Sequence, residues 1–124
     1  MGIYVCLTED ACSDLLKYRA SVRFKEFLAK LVRLEEEGIE VGVPLRDQLT
    51  NYRKIVVGDR DWRIIFQANR DGTEATVWVI GDRGDEACYK TAVKRLEAVR
   101  DKKLLTRSLA ATLLQIAEDR RRGR

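Results

Sequence analysis

Four side chains pose the chemical question in this sequence: Lys54, Arg63, Arg83 and Tyr89, all within the stretch from Tyr52 to Tyr89. The 124 residues include no histidine, so a nucleophile activated by a Ser–His–Asp or Cys–His pair is excluded. Recurrent cations with a phenol beside them suit another reaction. RNA can be cut by its own 2′-hydroxyl when that hydroxyl is held in line, the phosphorane charge is stabilised and protons are moved. A guanidinium fork matches phosphate oxygens. Lysine and tyrosine can exchange protons, so neither a metal nor a cofactor is expected.

The elements that must position these groups follow from turn signals and alternation. Tyr52–Val57 and Trp62–Ala68 read as strands around the turn Gly58-Asp59-Arg60-Asp61, and Asn69-Arg70-Asp71-Gly72 is a second turn. Thr76–Ile80 is a nearly continuous apolar run, as expected of a central strand covered on both faces. A turn at 58–61 opposes Val57 with Trp62, Val56 with Arg63 and Lys54 with Ile65. Ile55, Val57, Trp62, Ile64 and Phe66 then share an apolar face toward the helices. Lys54, Val56, Arg63, Ile65 and Gln67 share the other, open face, with the two cations one pairing step apart. A one-residue slip of either strand would separate them.

Upstream, Ile3–Leu7 reads as a strand. Thr8 is placed to cap a helix whose first turn carries Glu9 and Asp10 and whose apolar side carries Leu15, Leu16 and Tyr18. Ser21 opens a second helix with the stripe Phe24, Phe27, Leu28, Leu31 and Leu34, ended at Gly38. Residues 39–49 read as a connector holding the only proline, Pro44. Downstream, Gly81–Asp85 is a charged loop, and Glu86–Val99 a helix with Ala92, Val93, Leu96 and Val99 on its apolar side. Leu105, Leu109, Leu113 and Ile116 predict a further amphipathic helix, ending in the tail Arg120-Arg121-Arg122-Gly123-Arg124. Such a helix either docks on the domain or meets a partner helix or a second copy, with the tail touching phosphate.

Composition narrows the class. Lys and Arg number 24 against 20 Asp and Glu, a net charge of +4, which suits nucleic acid or an acidic protein without choosing between them. Cys6, Cys12 and Cys88 are odd in number and lack CxxC spacing, against a zinc site or a disulfide framework. They read as free thiols of a reducing cytosol. The N-terminus lacks the pattern of a signal peptide and no apolar run nears the ~20 residues of a membrane span, so a cytoplasmic protein without membrane contact is expected.

The order strand, helical hairpin, three-stranded meander resembles the RelE/ParE superfamily of bacterial toxins. The matching text is Tyr52-Arg53-Lys54-Ile55-Val56-Val57-Gly58-Asp59, Trp62-Arg63-Ile64-Ile65-Phe66, Val77-Trp78-Val79-Ile80-Gly81-Asp82-Arg83 and Tyr89-Lys90, preceded by Pro44-Leu45-Arg46 and Leu49. It covers about residues 3–98. The resemblance implies an α+β fold: an N-terminal strand, a helical hairpin, a three-stranded antiparallel meander and C-terminal helices. A toxin domain is expected over residues 1–100, with a helical extension and basic tail over 101–124.

The RelE branch of this family comprises ribosome-dependent mRNA endonucleases that cut the codon in the A site, leaving a 2′,3′-cyclic phosphate without a metal. Carried over by position, Arg63 matches the family's middle-strand arginine and Arg83 the arginine after the last strand's glycine. Tyr89 matches a tyrosine in the following helix, and Lys54 a lysine of the second strand. Val56 stands where some members carry another lysine, and Arg53 or Arg60 would supply charge to the RNA nearby. The roles implied are phosphate binding by Arg83 and Arg63, and proton transfer by Lys54 or Tyr89. A free phenol ionises only near pH ~10, so a tyrosine also suits stacking on a base. The bland alternatives are a packing tyrosine at a helix start and a loop ion pair of Arg83 with Asp82 or Asp85. Implied partners are the ribosome and mRNA, a cognate antitoxin that is acidic and partly disordered, and a second copy through the C-terminal helix. The family also implies two rival readings, a ParE-like DNA gyrase inhibitor and a non-catalytic antitoxin-binding protein.

Overall fold

The computed structural model describes residues 2–46, 49–58, 62–81, 84–99 and 105–121. Strand β1 (Tyr4–Thr8) runs directly into helix α1 (Glu9–Lys17). The junction is the expected cap, for Thr8 Oγ1 accepts from the Ala11 amide at 3.1 Å. Helix α2 (Arg23–Glu37) follows. Ser21 starts it one residue earlier than a formal cap, its Oγ accepting from Arg23 N at 3.1 Å. Gly38 stops it at φ 95°, which favours glycine, and its N–H bonds the Leu34 carbonyl at 2.9 Å. Phe24, Phe27, Leu31 and Leu34 are buried along one stripe of α2. Each such side chain contributes about 1.5–3 kcal/mol.

The hairpin of β3 (Tyr52–Val57) and β4 (Trp62–Ala68) has the register expected, Val57 with Trp62, Val56 with Arg63 and Lys54 with Ile65. Gly58 takes φ 62° at its turn. Trp62 fixes the hairpin to the helices, its ring 5.4 Å from Tyr18 and 5.8 Å from Phe27 by centroids. β5 (Glu74–Gly81) pairs antiparallel with β4 and parallel with β1. The sheet is mixed and six-stranded, ordered β2-β3-β4-β5-β1-β6.

Both ends of that order depart from the sequence reading. The connector after α2 holds a 3-10 turn (Ile39–Val41) and the two-residue strand β2 (Val43–Pro44), which pairs with Lys54 and Arg53. Proline is tolerated there because β2 is an edge strand. At the other edge, β6 (Thr106–Ser108) pairs antiparallel with β1 before helix α4 (Leu109–Arg121) begins. Leu105, expected on the apolar stripe of that helix, is 56% exposed ahead of the strand. The rest of the expected stripe docks α4: Leu109 and Ile116 are buried beside Thr112 and Leu113 packs half-buried on the first core, while Arg120 reaches α2, lying 5.3 Å from the Phe24 ring. Arg122 to Arg124 of the expected basic tail lie outside the described residues.

Two cores result, one on each sheet face. The first joins β1, α1, α2 and the inner hairpin residues Ile55, Val57, Ile64 and Phe66, with Leu109 and Ile116 of α4. The second lies under helix α3 (Gly84–Ala98) and holds Leu45, Leu49, Tyr52, Ile65, Trp78, Val79, Cys88 and Ala92. A bulge creates it: Ile65 faces Val79 and Phe66 faces Val77, leaving Trp78 as the extra residue. Trp78 and Val79 therefore both face α3, while Val77 and Ile80 face the first core.

β1 pairs with β5 only from Glu74 to Val77. Past that point an ion pair takes over from strand pairing. Arg95 of α3 donates from NH1 to Asp14 Oδ2 at 2.6 Å and from NH2 to Asp14 Oδ1 at 3.0 Å. The Ile80 amide donates to Asp14 Oδ2 at 3.0 Å, and the Trp78 carbonyl accepts from Arg95 NH1 at 2.8 Å.

The Tyr52 hydroxyl is buried in the second core without a hydrogen-bond partner, and burial pushes its pKa from 10.0 up to about 12. Tyr52→Phe is expected to raise stability by up to about 1 kcal/mol in urea titration, since an unmade buried hydrogen bond is removed. The sign with pH follows. The raised folded pKa makes stability fall between pH 10 and about 12, and the fall should be smaller in the variant. Among the described residues, no helix is long and apolar enough to cross a membrane.

Candidate functional site

Lys54 from β3, Arg63 from β4 and Tyr89 from α3 converge at the sheet face under α3. The Lys54 ammonium lies 6.0 Å from the centroid of the Tyr89 ring, within cation–π reach. Arg63 sits in the middle of three strands, opposite Val56 on one side and Gly81 on the other. Only 9% of it is exposed, and its NH1 donates to the Trp62 carbonyl at 2.9 Å. That bond restrains one end of the guanidinium before any ligand arrives. Lys54 and Tyr89 are half-buried, so the group reaches solvent.

The face expected to be open is therefore roofed. Lys54, Arg63, Ile65 and Gln67 do share one face, but α3 packs over it and Ile65 is fully buried. The cause is the bulge at Trp78, which supplies the apolar pad that α3 needs.

Arg53 is not brought to this group. It is opposite Phe66 in the ladder and its NH1 donates to the carbonyls of Gly42 (3.0 Å) and Ile39 (3.5 Å), on the other side of the sheet from Lys54. Strand alternation is the reason, since 53 and 54 must point oppositely. Arg83 and Arg60 lie outside the described residues.

Two further cations stand near Lys54 that the sequence reading did not single out. Lys30 and Arg33 of α2 line a hollow of about 220 Å³ with Lys54, Val41, Val43 and Val56. They lie outside the apolar stripe of α2, and only the packing of α2 across β3 reveals the proximity. Arg33 is partly neutralised by Glu37, 3.0 Å away. On α3, Tyr89 lines a shallow hollow with Lys90, Val93, Lys94 and Glu97. Among the described residues, no group of three histidine, cysteine or acidic side chains could hold a metal ion.

Chemically the group offers a guanidinium, an ammonium and a phenol on one face of the sheet. This suits an anion whose charge grows during reaction.

Comparison with solved structures bears on the frame that holds these groups. The free-state structure of a double mutant of the E. coli toxin RelE is similar at TM-score 0.60 and 26% identity, over 77% of this chain and 99% of that one. The chain has a RelE-like toxin fold.

A RelE double mutant from E. coli in complex with an antitoxin RelBc peptide matches at TM-score 0.53 and 27% identity, over 77% of this chain and 98% of that one. The isolated E. coli RelE toxin matches in fold at TM-score 0.52 and 24% identity, over 76% and 98%. No protein-family model matches the chain, and no curated protein matches it. The RelE structures are nearly fully covered while about a quarter of this chain is left over. RelE-like architecture also accounts for the mixed sheet with helices on both faces, the α+β class expected.

Proposed function

We propose that this chain is the toxin of a toxin–antitoxin pair and cuts mRNA on the ribosome through the RNA's own 2′-hydroxyl. The observation that carries this reading is the Lys54–Tyr89 contact at 6.0 Å, beside the in-register Arg63 on the same face of a RelE-like fold. In this mechanism the 2′-oxygen attacks phosphorus and the bond to the 5′-oxygen breaks, leaving a 2′,3′-cyclic phosphate. The Lys54–Tyr89 pair takes the 2′-proton and returns a proton to the leaving 5′-oxygen. Arg63, with Arg83, which follows β5 in the sequence, stabilises the phosphorane charge. The Tyr89 ring also offers a face on which a base can stack. Arg60, between β3 and β4 in the sequence, adds charge for the RNA.

The partner proposed is a cognate antitoxin. Its support is the similar E. coli toxin bound to an antitoxin peptide and the net charge of +4 here, which suits an acidic segment. The cytoplasm is the compartment this activity requires.

Toeprinting in a translation extract tests the reading. Wild type is expected to give codon-phased cuts, and Arg83→Ala and Tyr89→Phe to lose them. Cuts that persist in both variants would remove these residues from the site. Absence of cuts from wild type, with inhibition of DNA supercoiling in their place, would move the chain to the gyrase-poisoning branch.

A further inference from the structure

The sheet keeps an unpaired stretch at its β3 edge. β2 pairs with Arg53 and Lys54 and goes no further. The chain before Val43 does not follow β3, because it turns under the sheet at Gly42, where a Cβ would stand 2.6 Å from the Phe66 ring. Leu45 N donates to the Tyr52 carbonyl at 2.9 Å, so Tyr52 turns its main chain away from β4. By alternation, Lys54 and Val56 do the same. Among the described residues, no strand lies across from Val56 on that side.

The hollow of about 220 Å³ opens on this stretch. Lys30, Arg33 and Lys54 supply its cations, four valine or isoleucine side chains its apolar surface, and none of the described residues lining it is acidic. Val43 there is 55% exposed. The hollow at the opposite edge of the sheet, beside β6, includes Glu9.

We infer that the β3 edge receives an extended acidic segment of a partner protein, which pairs its main chain with Val56 as an added strand. Side chains of such a strand alternate between faces. The residue opposite Val56 lies on the face of Val56 and the exposed Val43, and suits an apolar group. Its two neighbours project to the Ile55 face, toward α2, and suit carboxylates on Lys30 and Arg33. The segment therefore reads acid, apolar, acid. A second copy of this chain does not fit, for pairing Val56 with Val56 would bring the two sets of cations together. A phosphodiester strand would leave the valines unmatched. The docking rests on the toxin–antitoxin reading for its partner and not on RNA cutting.

The test uses the intact chain and a short fluorescein-labelled peptide of alternating glutamate and valine. Wild type is compared with Lys30→Ala/Arg33→Ala, and with Lys25→Ala/Arg121→Ala as a control that removes two exposed cations elsewhere. Anisotropy should show binding that Lys30→Ala/Arg33→Ala weakens about tenfold and that the control leaves unchanged. A peptide N-methylated at its valines keeps the charge but loses the strand donors, and should bind about tenfold more weakly. The Val56 amide should gain protection from hydrogen exchange with the unmethylated peptide alone. Equal binding of the two peptides, or equal binding by the two double variants, would overturn the docking. So would a single-stranded oligodeoxynucleotide that binds more tightly than the peptide and is lost in Lys30→Ala/Arg33→Ala, because the occupant would then be nucleic acid. Self-association of Lys30→Ala/Arg33→Ala, with no peptide bound by wild type, would make the cations guards of a bare edge and also overturn it. Peptide binding at Val56 by a wild type that cuts no mRNA in toeprinting would keep the edge and sink the nuclease reading.

Discussion

Arg95→Ala should lose about 3–5 kcal/mol of folding stability in a denaturant titration, the range found when one partner of a buried ion pair is removed. The loss comes from what is left behind. Asp14 would keep its charge with only 16% of its side chain exposed, and the Trp78 carbonyl would lose its donor. Burial alone pulls the Arg95 guanidinium down, but the hydrogen bond and charge of Asp14, with Asp10 beyond, outweigh it and hold it above its ordinary value. The pair also ties α1 to α3 where β1 no longer covers β5. An exposed pair gives the scale for comparison. Arg33 and Glu37 are each more than half exposed, and Arg33→Ala should cost under about 0.5 kcal/mol. Equal losses in the two variants would mean that the Arg95–Asp14 pair does not replace strand pairing.

Arg63→Ala should lower ribosome-dependent cutting by about 10²–10³-fold, as removal of one donor to a developing oxyanion does. The group is held before the substrate binds: its strand lies between two partners and its NH1 is bonded to the Trp62 carbonyl. Its charge therefore needs less reorganisation than that of a solvent-exposed arginine. Arg63→Lys should recover only part of the rate, because an ammonium lacks the planar fork. Single-turnover cutting with thermal unfolding alongside separates chemistry from folding. A folded Arg63→Ala that cuts at the wild-type rate would take Arg63 out of the mechanism.

The hairpin was legible in the sequence because turn chemistry and alternation agree there. Gly58 sets the turn, and a slip of one residue would have buried Lys54 among the first core. The caps at Thr8 and Gly38 were legible for a similar reason, each being a local interaction with a local signal. The edge strands were not. β2 has two residues, one of them proline, and β6 is Thr-Arg-Ser between leucines whose spacing of four imitates a helix. The roof over Arg63 also escaped, since a bulge that turns Trp78 and Val79 the same way looks like any apolar pair in a strand. Asp14 and Arg95, 81 residues apart, carry no local signal of each other. Arg53 was placeable, because its alternation with Lys54 already set it on the opposite face. Tyr89 entered through family resemblance alone.

The interior position of β1, between β5 and the edge strand β6, has a consequence in time. Its contact with β5 joins Cys6 to Thr76, and its helix meets α4 at Cys12 and Thr112, across 70 and 100 residues respectively. During synthesis β1 leaves the ribosome early and waits, both of its edges unpaired, while the hairpin carrying Lys54 and Arg63 is made. Contacts of such long sequence separation form slowly. The parallel pairing that anchors the last meander strand thus arrives after Lys54 and Arg63 have been made, and α4 seals the first core later still. A nascent chain would carry its cations without the frame that aligns them.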